Sequence, residues 1–220
     1  MPTLSHYRYL FEPGPDPAAP ALLLLHGTGG DEHDLIPLAR QFSPGSALLS
    51  PRGNVLERGA PRFFARLAEG VFDTAEVTRR THELADFIAA ATKHHGIDPA
   101  RLTALGFSNG ANIAACLLLL RPGSLAAAAL LRPMVVLEPA VLPRLDGKRV
   151  LISSGRHDPI VPADHPQRLA DTFRRTGAGV DLQLHAASHQ LVPADLAAVT
   201  RWLRPTPVIS RRPTPGDRVS

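Results

Sequence analysis

The feature that most restricts the fold of this 220-residue chain is a Gly-x-Ser-x-Gly run, GFSNG, at Gly106–Gly110. The segment before it, Arg101–Leu105, has the pattern of a short buried strand, and Ala111–Leu120 after it has that of a buried helix. A serine at such a junction occupies a tight, strained turn that lifts its hydroxyl above the edge of the sheet. The pattern alone is weak, but its position between a strand and a helix makes Ser108 a candidate nucleophile.

Strands and helices alternate along the chain. The predicted strands are short and apolar, as expected for parallel strands buried on both faces, and lie at Ala21–Leu25, Ala47–Leu49, Leu102–Leu105, Ala126–Leu131, Val150–Ile152 and Val180–Leu184, with an edge strand at Tyr7–Phe11. Segments with helical spacing of apolar residues lie at Asp34–Phe42, Thr74–His95, Gln167–Thr176 and Pro193–Leu203. This alternation predicts one doubly wound α/β domain over residues 1–204, with a mostly parallel central sheet and helices on both faces.

The positive charge of the chain is concentrated near its C-terminal end. Of the formal net charge of +4, residues 204–220 contribute +3, from four arginines and Asp217, which leaves about +1 for the rest. The same stretch is rich in proline and poor in apolar residues, so we expect a disordered tail over residues 205–220. Four arginines without interleaved aromatic residues do not indicate nucleic-acid binding.

Cysteine content and apolar runs bear on location. The single cysteine, Cys116, cannot form an internal disulfide, and its place in the helix after Ser108 favours a core role over a nucleophilic one. Residues Met1–Phe11 lack the charged-then-apolar pattern of a signal peptide. The longest apolar runs, Ala21–Leu25 and Ile113–Leu120, are far shorter than a membrane span. The expectation is a cytoplasmic protein without a membrane span.

A glycine-rich loop, HGTGGDE at His26–Glu32, directly follows the first inner strand. A phosphate cradle does not fit, because Glu32 stands where the dinucleotide fingerprint needs its third glycine and no Gly-Lys-Ser/Thr follows. Asp31, Glu32 and Asp34 would also repel a phosphate at a helix start. Two interpretations stay open here: backbone N–H groups that stabilise an oxyanion, or a merely tight turn.

Two further polar loops follow predicted strands, and such loops gather at one edge of an open parallel sheet. GRHDPIVP at Gly155–Pro162 places Asp158 there, although an Asp-Pro pair is commonly only a turn former. AASHQ at Ala186–Gln190 places His189 there. The order Ser108, Asp158, His189 is that of nucleophile, acid and base in α/β hydrolases. Serine hydrolysis is therefore predicted, and no histidine pair has the helical spacing and carboxylate partner of a metal site.

Several segments carry a resemblance to a known family: LLLLHGTGGDEHDL at 22–35, GFSNGA at 106–111, GRHDPIVP at 155–162 and SHQ at 188–190. They resemble the phospholipase/carboxylesterase family, the small-esterase and acyl-protein-thioesterase branch of the α/β hydrolases, over about residues 20–204. Residues 50–73 are similar to the second-strand loop of that family, and LLRPM at 130–134 favours a bacterial carboxylesterase subgroup. The resemblance implies the α/β-hydrolase fold without a large lid, no cofactor, a small-molecule ester substrate, and compatibility with a homodimer.

The resemblance also implies roles for individual residues. These are nucleophile for Ser108, proton shuttle for His189, orientation of the imidazole for Asp158, and oxyanion binding by the backbone N–H groups of Thr28 and Asn109. One departure is Ser188, because members of the family commonly have glycine before the histidine. A positive φ at that position would strain a serine.

Substrate contacts are less constrained by the pattern. Phe63 and Phe64, in the loop Arg52–Phe72, could line an acyl groove or could pack the loop onto the domain. Arg132 follows the strand Ala126–Leu131. It could reach the sheet edge and bind a carboxylate-bearing or otherwise polar acyl substrate, or it could be an ordinary surface residue. The predicted function is hydrolysis of carboxylic esters of small to medium acyl size. An acyl thioesterase with the same residues, or a non-catalytic binding module on this fold, is the alternative.

Overall fold

A computed structural model of the protein describes residues 4–204. The tail predicted at 205–220 lies outside the described residues. The strands are β1 (Tyr9–Glu12), β2 (Ala21–Leu25), β3 (Leu48–Pro51), β4 (Val55–Glu57), β5 (Ala60–Arg62), β6 (Leu102–Phe107), β7 (Ala127–Leu131), β8 (Arg149–Gly155) and β9 (Gly179–His185). The α-helices are α1 (Ile36–Phe42), α2 (Thr74–His95), α3 (Asn109–Leu120), α4 (His165–Arg175) and α5 (Pro193–Leu203).

Seven strands form the central sheet, in the order β1-β3-β2-β6-β7-β8-β9. Neighbouring strands are parallel throughout, except that β1 runs antiparallel to β3 at the edge. The predicted mostly parallel sheet is confirmed, and each of its strands lies within a few residues of its predicted place. The edge strand begins at Tyr9 rather than at Tyr7.

Helices cover both faces of the sheet, which explains why its inner strands are apolar without alternation. Leu23 and Leu25 of β2 belong to the core layer that contains residues of α2, α3 and α4. Leu22 and Leu24 point the other way, into the layer that contains residues of α1 and α5. Within residues 4–204, no helix combines the length and the hydrophobicity needed to cross a bilayer.

The strand register brings the carboxyl ends of the parallel strands to one edge of the sheet. Leu25 at the end of β2 lies opposite Gly106 of β6, and Leu131 at the end of β7 lies opposite Ser153 of β8. The loops that follow these strands therefore share one rim, which is where ligands bind in open α/β sheets.

The long segment between β3 and α2 contains a hairpin that the sequence pattern does not predict. Its strands, β4 and β5, are antiparallel and joined by Arg58 and Gly59, whose φ angles are 51° and 86°. Positive φ at both central positions is the geometry of the tight turns that suit the twist of a hairpin. Three-residue strands show no recognisable alternation, and arginine is an unusual residue for the first turn position. The hairpin places Arg62 beside the carboxyl edge of the sheet.

Candidate active site

Ser108 lies between β6 and α3 in a strained backbone conformation, with φ 51° and ψ −114°. Its backbone N–H donates to the carbonyl of Leu131, 2.8 Å away, which fixes the turn to the neighbouring strand. Gly110 has no room for a side chain, because a Cβ there would overlap the backbone of Leu25 and His26. The strained strand-to-helix turn predicted from the sequence is present, and it presents the Ser108 hydroxyl at the rim.

The structure brings together the three side chains whose order in the chain predicted a serine hydrolase. His189 Nε2 lies 2.9 Å from Ser108 Oγ, and His189 Nδ1 lies 2.8 Å from Asp158 Oδ2. The Asp158 side chain is only 1% exposed, and its Oδ1 accepts the backbone N–H groups of Ile160 and Val161 at 2.8 and 3.1 Å. The carboxylate is thus held so that it can orient the imidazole, which in turn can accept the serine proton.

The backbone N–H groups of Thr28 and Asn109 make no hydrogen bond to another protein group in the described part of the chain. The hairpin holds the loop that carries the first of them. Gly29 N–H donates to the carbonyl of Pro61 at 2.9 Å, and Arg62 Nη1 donates to Thr28 Oγ1 at 2.6 Å. Two free N–H donors beside the serine can stabilise a negative charge that develops on a substrate oxygen.

His26, which the sequence did not single out as functional, supports the same loop. Its Nδ1 lies 2.6 Å from the carbonyl of Gly27, and its Nε2 accepts the backbone N–H of Gly53 at 2.9 Å. Burial lowers the pKa of His26 from its ordinary value of 6.5, which outweighs the opposite effect of the bond to Gly27. Because a neutral imidazole has one donor and one acceptor, both ring atoms are used. The signal available in the sequence is only its place at the end of β2.

A cavity of about 340 Å³ opens beside Ser108 and His189. Phe72, Phe107 and Met134 contribute apolar surface to its wall. Of these, Phe72 belongs to the loop Arg52–Phe72, for which an acyl groove is one of the two interpretations from the sequence. The site thus has room for a small organic group next to the hydroxyl of the serine.

Phe63 and Phe64 do not line this cavity, so of the two interpretations the structure supports packing. Both rings are fully buried. The ring of Phe63 lies 4.8 Å from that of His26, and the ring of Phe64 meets that of Phe72 edge-on at 5.6 Å. The prediction that they bind substrate is wrong, because both rings pack inside the protein and attach the loop to the core.

Arg132 is completely buried, so both interpretations of it, as a substrate contact and as an ordinary surface residue, are wrong. Its guanidinium forms a bidentate pair with Asp195, with both N–O distances at 2.7 Å. The remaining N–H groups donate to the carbonyls of Ser153, Ser188 and Gln190 at 3.2, 3.0 and 2.8 Å. All five donors of the side chain are therefore used inside the protein. Two of those carbonyls flank the histidine of the site.

Ser188 does not have the positive φ that would strain a serine at the position before the histidine. Among residues 4–204, the non-glycine residues with positive φ are Arg58, Ser108 and Arg132. The carbonyl of Ser188 accepts from Arg132, so the loop is held by a side chain rather than by a glycine turn.

Two other kinds of chemistry find no support in residues 4–204. Cys116 is buried, and burial raises the pKa of its thiol to about 12, so the core role predicted for it is confirmed. No group of three or more histidine, cysteine, aspartate or glutamate side chains in that range is arranged to hold a metal ion.

A mostly parallel sheet between two helical layers, with serine, histidine and aspartate hydrogen-bonded in a row at its carboxyl edge, defines an α/β hydrolase. The Phospholipase/Carboxylesterase family profile matches residues 10–206. The chain is 43% identical over 183 residues to the putative hydrolase MhqD of Bacillus subtilis (strain 168), covering 83% of this chain and 92% of that protein. It belongs to the phospholipase/carboxylesterase family.

Solved structures agree with that assignment. The carboxylesterase of Bacillus cereus has a TM-score of 0.87 to this structure at 42% identity, covering 90% of this chain and 93% of that one. YahD, solved with malic acid, has a TM-score of 0.84 at 30% identity, covering 90% of this chain and 98% of its own. The protein is thus a hydrolase of the carboxylesterase type, as the sequence predicted.

Proposed function

We propose that this protein hydrolyses carboxylic esters of small to medium acyl size through an acyl-enzyme on Ser108. The observation that carries the proposal is the hydrogen-bonded row of Ser108, His189 and Asp158 at the mouth of a cavity. A serine hydroxyl is a poor nucleophile by itself, and a base held at hydrogen-bond distance is what activates it.

In the first half of the reaction, His189 Nε2 takes the proton from Ser108 Oγ as the oxygen attacks the ester carbonyl. The carbonyl oxygen becomes an oxyanion that the backbone N–H groups of Thr28 and Asn109 stabilise. His189 then gives its proton to the leaving alcohol, and the acyl-enzyme remains. Asp158 keeps the imidazole in the required tautomer and stabilises its charged form.

In the second half, water takes the place of the alcohol. His189 removes a proton from the water as its oxygen attacks the acyl carbonyl of the Ser108 ester, again with the oxyanion on the backbone donors. Collapse of this intermediate breaks the bond to Ser108 Oγ, which recovers its proton from His189. The products are a carboxylic acid and the free enzyme.

The size of the cavity supports the proposed range of acyl groups. A volume of about 340 Å³ lies at the lower end of typical ligand sites, and its wall includes Phe72, Phe107 and Met134. The malic acid in the YahD structure is of compatible size. An acyl thioesterase would use the same residues, and a non-catalytic binding module would keep the fold without turnover.

The test compares wild type with Ser108→Ala on p-nitrophenyl esters from acetate to decanoate, with acyl thioesters alongside. We expect Ser108→Ala to lose several orders of magnitude in turnover and to lose covalent labelling by a fluorophosphonate probe. Ser124→Ala, a change outside the site, is the matched control. Labelling that persists in Ser108→Ala would identify another nucleophile, and no turnover of any acyl compound by folded protein would favour the binding module.

Two further expectations belong to this proposal. A cytoplasmic location fits a chain with a single cysteine, Cys116, and a homodimer is compatible with the family resemblance. Light scattering coupled to gel filtration measures the second directly, since a homodimer has twice the chain mass of 23.6 kDa.

A further inference from the structure

The cavity beside Ser108 is lined by three polar side chains that are almost completely buried. Arg62, Asn109 and Asn112 are 3%, 2% and 4% exposed, respectively, and all belong to its wall. Burying polar groups is costly unless they find hydrogen-bond partners, so the partners of these three decide what the cavity can bind.

The two asparagines have their acceptor oxygens occupied by the protein. Asn109 Oδ1 accepts the backbone N–H of Phe63 at 2.7 Å, and Asn112 Oδ1 accepts that of Met134 at 2.8 Å. Because an amide oxygen bound in this way fixes the orientation of the whole group, the Nδ2 donors are fixed as well. Neither Nδ2 has a hydrogen-bond partner within residues 4–204, and that of Asn109 is itself fully buried.

Arg62 also has an N–H donor that is not bound by the protein within residues 4–204. Its Nε donates to the carbonyl of Phe64 at 3.0 Å and its Nη1 to Thr28 Oγ1 at 2.6 Å, whereas its Nη2 has no protein partner in the described part of the chain. These two bonds hold the guanidinium against the loop that carries the backbone donor of Thr28. The charge of Arg62 therefore lies close to the place where the ester carbonyl reacts.

The carboxylate near Arg62, that of Glu57, also contacts a second arginine. Glu57 lies 3.4 Å from Arg62 Nε, but its other oxygen accepts from Arg66 Nε at 2.8 Å, so two guanidinium groups face one carboxylate. Glu69 also lines the cavity, and it is exposed to solvent. The buried part of the wall thus offers hydrogen-bond donors and one positive charge without a buried acidic side chain in the lining.

We propose that this wall selects esters that carry a carboxylate near the reacting carbonyl, with Arg62 Nη2 and Asn112 Nδ2 as the donors that bind it. The inference rests on the proposed esterase function and adds the substrate class. A carboxylate supplies two acceptor oxygens and a negative charge, which satisfy donors that an alkyl chain would leave unpaired. Half-esters of short dicarboxylic acids have this chemistry.

The experiment measures kcat/KM for monomethyl glutarate against methyl pentanoate, which has an acyl chain of the same length without the carboxylate. We expect a preference of about 10- to 100-fold for the half-ester, the effect of a hydrogen bond to a charged group. A second pair tests the alcohol side of the ester. Acetoxyacetate carries a carboxylate on its alcohol part, and ethyl acetate lacks it. A preference within either pair supports the inference, and the pair that shows it identifies the side.

Variants assign the preference to named atoms. Arg62→Met removes the charge and should abolish the preference, whereas the control Ser124→Ala, outside the cavity, should keep it. Asn112→Asp retains the acceptor for Met134 N–H but replaces the Nδ2 donor by a carboxylate oxygen, so it should reduce the preference without a change of shape. Calorimetric titration of Ser108→Ala with glutarate gives a readout without turnover, and Arg62→Met should weaken that binding at least tenfold.

The outcomes separate this inference from the function on which it rests. Serine-dependent hydrolysis of methyl pentanoate with no preference in either pair would overturn the carboxylate site and leave the esterase intact. An unchanged preference in both Arg62→Met and Asn112→Asp would also overturn it. Glutarate binding to Ser108→Ala without hydrolysis of any ester by wild type would instead refute the proposed esterase and keep the binding site.

Discussion

Replacing Arg132 by methionine is the change whose consequences the structure defines most fully. The variant removes five N–H donors but keeps an apolar side chain of similar length. Asp195 is then left as a buried carboxylate with Ser153 Oγ at 2.6 Å and the backbone N–H of Val192 at 2.8 Å as its hydrogen bonds. Breaking a buried ion pair by removing one partner costs about 3–5 kcal/mol of unfolding free energy. Against the 5–15 kcal/mol typical of a domain, that loss leaves the protein folded but weakened.

Activity should fall for a second reason. The carbonyls of Ser188 and Gln190, on either side of His189, lose their tether, and a displacement of about 1 Å at a reacting group costs about 100-fold in rate. None of the residues that Arg132 contacts lines the cavity, so kcat should fall while KM stays nearly constant. Arg132→Lys can make at most three of the five bonds, and we expect it to lose about 1–3 kcal/mol and to show a smaller decrease in kcat.

Urea unfolding and steady-state kinetics on p-nitrophenyl butyrate measure the two effects separately. The double variant Arg132→Met/Asp195→Leu carries no buried unpaired charge, so it should recover most of the stability but not the kcat of the wild type. If the double variant recovers kcat as well, Arg132 does not position His189. If Arg132→Met changes the unfolding free energy by less than about 0.5 kcal/mol, Asp195 is not destabilised by the loss of its partner, and the reasoning about the buried pair is refuted.

Two other predictions concern the supports of the site. Burial holds the pKa of folded His26 below the 6.5 of the unfolded chain, so its stability contribution is present above pH 6.5 and is lost as the pH falls from there toward the folded pKa. His26→Gln should therefore reduce the loss of urea midpoint between about pH 7.5 and 5.5, and equal slopes in both proteins would contradict this. Gly110→Ala should cost at least about 1–3 kcal/mol, because its Cβ overlaps the backbone of β2. The matched control Gly123→Ala, with nothing within 4 Å of the added Cβ, should change stability by less than about 0.5 kcal/mol in thermal or urea unfolding, and similar losses in both would refute the steric explanation.

The elements that the sequence predicted correctly are those whose structure is determined by the local pattern of apolar residues. An apolar run such as Ala21–Leu25 specifies a strand buried on both faces, and parallel strands necessarily bring the loops after them to one edge. That geometry is enough to predict that Ser108, Asp158 and His189 lie together, since each lies in the turn or loop that follows a strand. Their separations in the chain, 81 residues between serine and histidine, do not matter once the sheet order is set.

The elements that the sequence did not predict depend on partners that no local pattern reveals. Arg132 follows a strand just as Asp158 does, but its partner Asp195 lies 63 residues further along the chain, inside the first turn of a helix. Two aromatic residues in a loop, Phe63 and Phe64, look the same whether they face a groove or the core. The role of Arg62 depends on a contact with Thr28, 34 residues away, through a hairpin too short to show a pattern.

Three consecutive residues at and just after the end of β5 contact the two sides of the proposed oxyanion site at once. Pro61 accepts from Gly29, Arg62 donates to Thr28, and Phe63 donates to the side chain of Asn109. Efforts to retarget the enzyme by redesigning this loop therefore face a trade-off, because substitutions chosen to admit a new substrate also disturb the proposed oxyanion donors. Libraries that vary the cavity from Phe72 or Ile160 instead leave those three contacts in place, and they are the better starting point for changing selectivity without losing turnover.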